Sequence, residues 1–184
     1  MIALIKLSLL AGLVYLSIAA AAFFLPFSLI HIEPQTANSG QSLIPFQMQS
    51  ASDFDILYFI IKQNIIVFWL YCSGICCCGI TTLVCFCFNG IILGSTIQAL
   101  IVEKHSTYTS VFLHFMPHSI EILAMSIGGG IGFAGISIIF KLFRTNTLPD
   151  IAFWRKILYA ILLGHAIIVV AALLETYISL KMPW

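Results

Sequence analysis

Four long apolar blocks leave this chain only one solvent in which it can fold. They run from about Leu7 to Ile30, Ile56 to Val102, Val111 to Phe140 and Ile157 to Ile178. Each is at least as long as the ~20 residues that cross a bilayer core. A soluble domain carries roughly 25% charged residues. Here the charged share is 8% against 61% apolar, and the mean hydropathy is +1.09. Eight Lys/Arg and seven Asp/Glu cannot clothe a water-facing surface. The expectation is an all-α, polytopic transmembrane helix bundle, a single integral membrane domain over residues 1–184, with the lipid bilayer as its surroundings. A formal net charge of +1, with no basic cluster, excludes nucleic acid as a partner.

The first block begins like a signal peptide, with Lys6 ahead of an apolar run and small residues at Ala19 to Ala22. The run continues through Phe23-Phe24-Leu25 to Ile30, so we read it as a retained first helix. The second block is too long for one straight helix, because at 1.5 Å per residue it would far outreach a ~30 Å core. Asn64 opens an uninterrupted apolar run, and Asn89-Gly90 is a turn-type dipeptide. The division expected from these is an interfacial amphipathic piece at 53–63, a spanning helix at 64–88 and a return segment at 91–102. That return segment is either short for a crossing or re-entrant. About five membrane segments result.

Charge orients them. The loop at about 31–53 has no Lys or Arg, whereas that at about 141–156 carries Lys141, Arg144, Arg155 and Lys156. Positive charge stays on the cytoplasmic side, which makes the first loop extracytoplasmic, the second cytoplasmic and the N-terminus inside. The odd number of crossings between the two loops agrees with this.

Ionisable residues inside a membrane are costly and usually face the bundle interior. The third block carries His114, His118 and Glu121 at i, i+4 and i+7, one face of a helix. The same face continues through Met125, Gly128 and Gly132, and a small-xxx-small pair of this kind lets a second helix approach closely. In the last block Gly164, Ile168, Ala171 and Glu175 recur at helical spacing. Antiparallel packing of these two blocks brings Glu121 and Glu175 to the same side, so a buried polar cluster of His118, Glu121 and Glu175, joined by Asn64 or Asn89, is expected. Three readings stay open: a hydrogen-bonded clasp that fixes helix register, proton or ion coupling in a transporter, and a metal site, since imidazole and carboxylate three residues apart can ligate one ion. His165, on another side of its helix, is expected to stand apart.

No catalytic constellation accompanies the cluster. His118 to Glu121 is not the H-E-x-x-H pattern of zinc proteases, and Ser119, Ser126 and Ser137 lack a base at a matching spacing. The run Gly128 to Gly132 lacks the strand and the Lys-Ser/Thr ending of a phosphate loop. All six cysteines, Cys72 to Cys87, sit in one apolar stretch without the paired spacing of a zinc site. They read as small hydrophobes, with a soft-metal site as the lesser alternative. No enzyme activity and no cofactor are expected. Gly90/Gly94 and Gly128/Gly132 are packing pairs that serve either within one chain or between chains of a homo-oligomer.

The same residues carry a family resemblance. Met116-Pro117-His118-Ser119-Ile120-Glu121-Ile122-Leu123-Ala124 resembles the Pro-His-Gly-x-x-Glu-x-x-Ala motif of the stage II sporulation protein M family, which likewise leads into a glycine-rich helix. Asn64, Gly74, Gly79 and Asn89-Gly90-Ile91-Ile92-Leu93-Gly94 are similar to the family's second helix and its Asn-Gly-x-x-x-Gly ending. The segment from Ala171 to Ile178 is similar to the family's C-terminal Ala-x-x-x-Glu segment. Ser119 departs from the family's glycine. The resemblance covers about residues 54–182, and the first helix weakly. It implies a non-enzymatic protein of the bacterial cytoplasmic membrane that acts as a scaffold or organising subunit. The partners it implies are membrane or envelope proteins: cell-wall hydrolases, or the ATPase subunit of an ABC-type transporter. A transport subunit using the His/Glu cluster for ion coupling is the alternative.

Overall fold

The computed structural model describes residues 2–24, 52–103 and 108–177, with side chains over 4–24, 52–101 and 116–177. Within them the chain forms five helices: α1 (Ile2–Phe24), α2 (Asp53–Ser73), α3 (Ile80–Gln98), α4 (Tyr108–Thr145) and α5 (Ile151–Tyr177). Each has a stretch long and apolar enough to cross a membrane. Large apolar side chains such as Leu9, Leu13, Leu16, Leu158 and Leu162 stand exposed on the outside of the bundle, as lipid requires and water would forbid. The chain is an integral membrane protein. The first loop expected at 31–53 falls almost wholly outside the described residues.

The second apolar block divides differently from the expectation. Helix α2 runs through Asn64 without a break, and Asn89-Gly90 lies inside α3. The reversal is instead a tight turn over 74–79. Its backbone groups satisfy one another: Cys77 N–H donates to Gly74 C=O, Gly79 N–H to the same oxygen, and Ile80 N–H to Cys77 C=O. Cys78 and Gly79 take the left-handed conformation, at φ 54° and 79°. Such a turn needs no polar side chains, so the hydropathy runs through it without a dip. The third segment gains what the second loses. It spans Ile80–Ile101, and its end widens into a π-helical turn, Ala99–Glu103. At 22 residues it is long enough for a full crossing.

The other ends follow ordinary capping chemistry. Ser52 and Asp55 form a capping box at the start of α2, each side chain accepting the other's backbone N–H at 3.2 Å, a device worth about 1 kcal/mol. The link between α4 and α5 is only 146–150. Lys141 and Arg144 therefore ride on the end of α4, and Arg155 and Lys156 on the start of α5, instead of lying in a long loop. Asp150 Oδ1 accepts the Phe153 N–H at 3.1 Å and starts α5. Pro117 deprives α4 of one backbone donor, yet the helix continues through it and the ring is fully buried.

Contacts at the glycines set the directions. Tyr15 and Ile18 of α1 meet Gly90, while Ala19 and Ala22 meet Gly94, so α1 and α3 are parallel. Phe68 meets Gly128, and the Tyr71 carbonyl meets Gly132, so α2 and α4 are parallel. Ser8 meets Gly130 and Gly12 meets Ser126, so α1 opposes α4. The turn at 74–79 and the link at 146–150 share one end of the bundle, called here the turn end. The start of α2 and the end of α5 mark the opposite, or loop, end.

Lipid is as apolar as a leucine side chain, so helices in it associate through close packing. The Gly90/Gly94 pair supplies that between α1 and α3. A Cβ on Gly94 would overlap the Ala19 carbonyl and approach the Ala22 Cβ to 2.8 Å. Gly94→Val should therefore destabilise the bundle by ~1–3 kcal/mol, as overpacking does. Leu83→Val, on the exposed face of α3, should stay within ~0.5 kcal/mol. Detergent-titrated unfolding of the two variants beside wild type checks this, and equal losses would show that the seam does not carry the stability.

Candidate functional site

The cleft at the loop end begins with one aromatic ring. Phe68 of α2 is fully buried. Its ring fills the notch left by two missing side chains, those of Gly128 on α4 and Gly164 on α5. One turn earlier on α2 stands Asn64, two turns earlier on α4 stands Glu121, and three turns later on α5 stands Glu175. All three positions lie on the loop-end side of the notch. They line a common cleft of about 510 Å³ together with Asn89, His118, Gln63, Tyr15 and Tyr71.

Within the cleft His118 Nδ1 and Glu121 Oε2 are 3.2 Å apart on successive turns of α4. With Glu121 ionised the ring N–H donates and the carboxylate accepts. Glu175 comes across from α5, and one ligand-type atom from each of the three residues lies within 4.8 Å of the others. All three side chains are partly buried. Opposite them Asn89 Nδ2 donates to Tyr71 Oη and to the Cys85 carbonyl, both at 3.1 Å. The Tyr71 hydroxyl donates in turn to Cys85 C=O at 3.2 Å.

The cleft has an aromatic floor. Tyr71 packs at a tilt on Phe86 with ring centroids 4.6 Å apart, and Phe86 also meets Tyr15 at 5.7 Å and Phe133 at 6.2 Å. Beyond the floor the helices are in direct contact. Thr82 Oγ donates to the Tyr71 carbonyl at 2.8 Å, in the space that Gly74 and Gly132 leave open. Gly135 then packs on the backbone of Ile75.

Of the residues singled out from sequence, His118, Glu121, Glu175, Asn64 and Asn89 share the cleft. His114 has its backbone in α4, but its side chain lies outside the described residues. Gly90, Gly94, Gly128, Gly132 and Gly164 all receive a neighbouring helix of the same chain. His165 stands apart as expected. It hydrogen-bonds the Ile161 carbonyl at 2.8 Å and meets the rings of Phe68 and Trp69 edge-on. The six cysteines are free thiols, and among the described residues the one grouping able to hold a metal contains none of them. Ser119, where the resemblance favours glycine, is exposed.

Tyr15, Gln63 and Tyr71 were not singled out from sequence. Tyr71 carried a usable signal, since a phenol in the middle of a spanning run needs a buried partner for its hydroxyl. The Tyr71–Asn89 pair yields a direct test. Single Tyr71→Phe and Asn89→Ala variants and their double mutant should show a coupling of ~0.6–1.7 kcal/mol, the range of hydrogen bonds between membrane helices. Zero coupling in the unfolding free energies would remove the hydroxyl–carboxamide bond as a tie between α2 and α3.

Comparison with known proteins places this arrangement. No curated protein and no solved structure matches the chain significantly. The family model described as Stage II sporulation protein M matches residues 2–180, nearly the whole chain, and the protein therefore belongs to the stage II sporulation protein M family.

Proposed function

We propose that the protein is a non-enzymatic organising subunit of the bacterial cytoplasmic membrane, with its N-terminus inside, that holds partner proteins in place. The observation that carries this reading is the confinement of the polar cluster to one end of the bundle. A conduit for ions needs polar groups along a path to both sides of the membrane. Here Tyr71 lines the cleft and packs on the buried Phe86 behind it, and towards the turn end the helices close on each other through Gly132, Gly135 and Thr82. His118, Glu121 and Glu175 then act as a clasp that fixes α4 against α5, and the outward faces are left for partners. The expected partners are cell-wall hydrolases or an ABC-type ATPase subunit, and the small-residue seams, already occupied within the chain, are not the docking faces.

Cross-linking in native membranes followed by co-purification and mass spectrometry tests the reading, with Glu121→Gln beside wild type. Defined envelope partners should be recovered with wild type and reduced with the variant, whose clasp is weakened. Recovery of the protein alone in both would overturn the scaffold role.

The orientation has its own test. Cys76 and Cys78 are exposed at the turn end, which this topology puts in the cytoplasm. A membrane-impermeant maleimide should label them only after the membrane is opened. Equal labelling of intact cells would invert the orientation.

A further inference from the structure

The clasp has an unbalanced charge. Glu121 and Glu175 bring two carboxylates and His118 at most one positive charge, and among the described residues that line the cleft there is no Lys or Arg. With every group ionised the cluster keeps a net negative charge inside the membrane-spanning part of the bundle, where water screens it poorly. Two carboxylates, a neutral imidazole and one divalent cation sum to zero.

The donor set suits such an ion in kind and in place. His118 and Glu121 are spaced i, i+3 on one helix and Glu175 faces them from another, the way carboxylate-rich metal sites are built in the cores of helix bundles. The 3.2 Å between His118 Nδ1 and Glu121 Oε2 is close to the separation of two ligands bound ~2.0–2.2 Å from one ion at a tetrahedral angle. The third ligand lies within 4.8 Å, wider than the ~3.4 Å that two such bonds span at the same angle. Coordination by all three therefore requires the Glu175 carboxylate to move in towards His118 and Glu121. Asn64 and Asn89 line the same cleft, and their carboxamides or water offer oxygen for the remaining positions. One imidazole among oxygen ligands favours a first-row divalent ion such as Zn²⁺ or Fe²⁺ over Mg²⁺ or Ca²⁺.

We infer that His118, Glu121 and Glu175 form a binding site for one divalent transition-metal ion, which ties α4 to α5 at the loop end of the bundle. The inference rests on the cleft and not on the scaffold reading, so either can fail alone.

Co²⁺ titrated into the purified full-length protein in detergent is the probe, because its visible ligand-field bands report bound ion and a near-ultraviolet charge-transfer band reports thiolate ligands. Wild type should bind one equivalent without the thiolate band, and the ion should raise its thermal midpoint. Glu175→Gln should weaken binding by more than ~10-fold, since loss of a direct ligand exceeds the 10- to 100-fold effect of losing an outer partner. Glu175→Asp should recover part of it. Absence of stoichiometric Co²⁺ in wild type overturns the site, whatever the variants do. A thiolate band, or equal affinity in a Glu175→Gln protein that still elutes as a single species with wild-type helix content, overturns it as well.

Discussion

The seating of Phe68 between Gly128 and Gly164 sets the position of everything above it. Apolar surface gains little when helices meet in lipid, so the bundle depends on how closely side chains and backbones interlock. A ring that fills the space of two absent side chains makes many contacts and tolerates little sliding. It fixes α2 against both α4 and α5. Shifting any of the three helices by one turn would move its polar residue about 5.4 Å along the cleft that Asn64, Glu121 and Glu175 now share. The cleft is in this sense a consequence of the glycines beneath it.

Much of this was legible in the sequence because the bilayer restricts the choices so strongly. Five apolar segments, the shared face of His118 and Glu121, and the meeting of Glu121 with Glu175 all follow from helical periodicity and antiparallel packing. The break in the second block did not follow. Sequence rules look for polar or turn-type residues, and Asn89-Gly90 has the right form, but Asn89 uses its carboxamide to bind Tyr71 and the Cys85 carbonyl inside α3. The real turn hides in an apolar Gly-Ile-Cys-Cys-Cys-Gly stretch because its backbone groups pair internally. Its only signals are Gly74 and Gly79. For the glycine pairs, whether each meets a helix of its own chain or of another copy could not be read from spacing, and the contacts at Gly90, Gly94, Gly128 and Gly132 lie within the chain.

The two polar systems of the cleft differ in character. Asn89, Tyr71 and Cys85 are neutral, and each donor among them has an acceptor, so they hold α2 to α3 whatever the surroundings. His118, Glu121 and Glu175 are ionisable, so their stability depends on what balances their charge. Both sit above the same aromatic floor. Substitutions in the first should act on folding, whereas substitutions in the second change the electrostatic state of a folded protein.

That difference explains why the ionisable cluster lies where it does. Helices α4 and α5 are joined at the turn end by the short link 146–150, which already fixes their separation there. At the loop end no described segment connects them, and two helices tied at one end alone can splay. His118 and Glu121 reach from α4 and Glu175 from α5 at this open end, so the balance of charge among the three groups bears directly on the contact between the two helices. A neutral hydrogen bond in the same place would hold without regulation. An ionisable tie makes the contact between α4 and α5 depend on the charge state of the cleft.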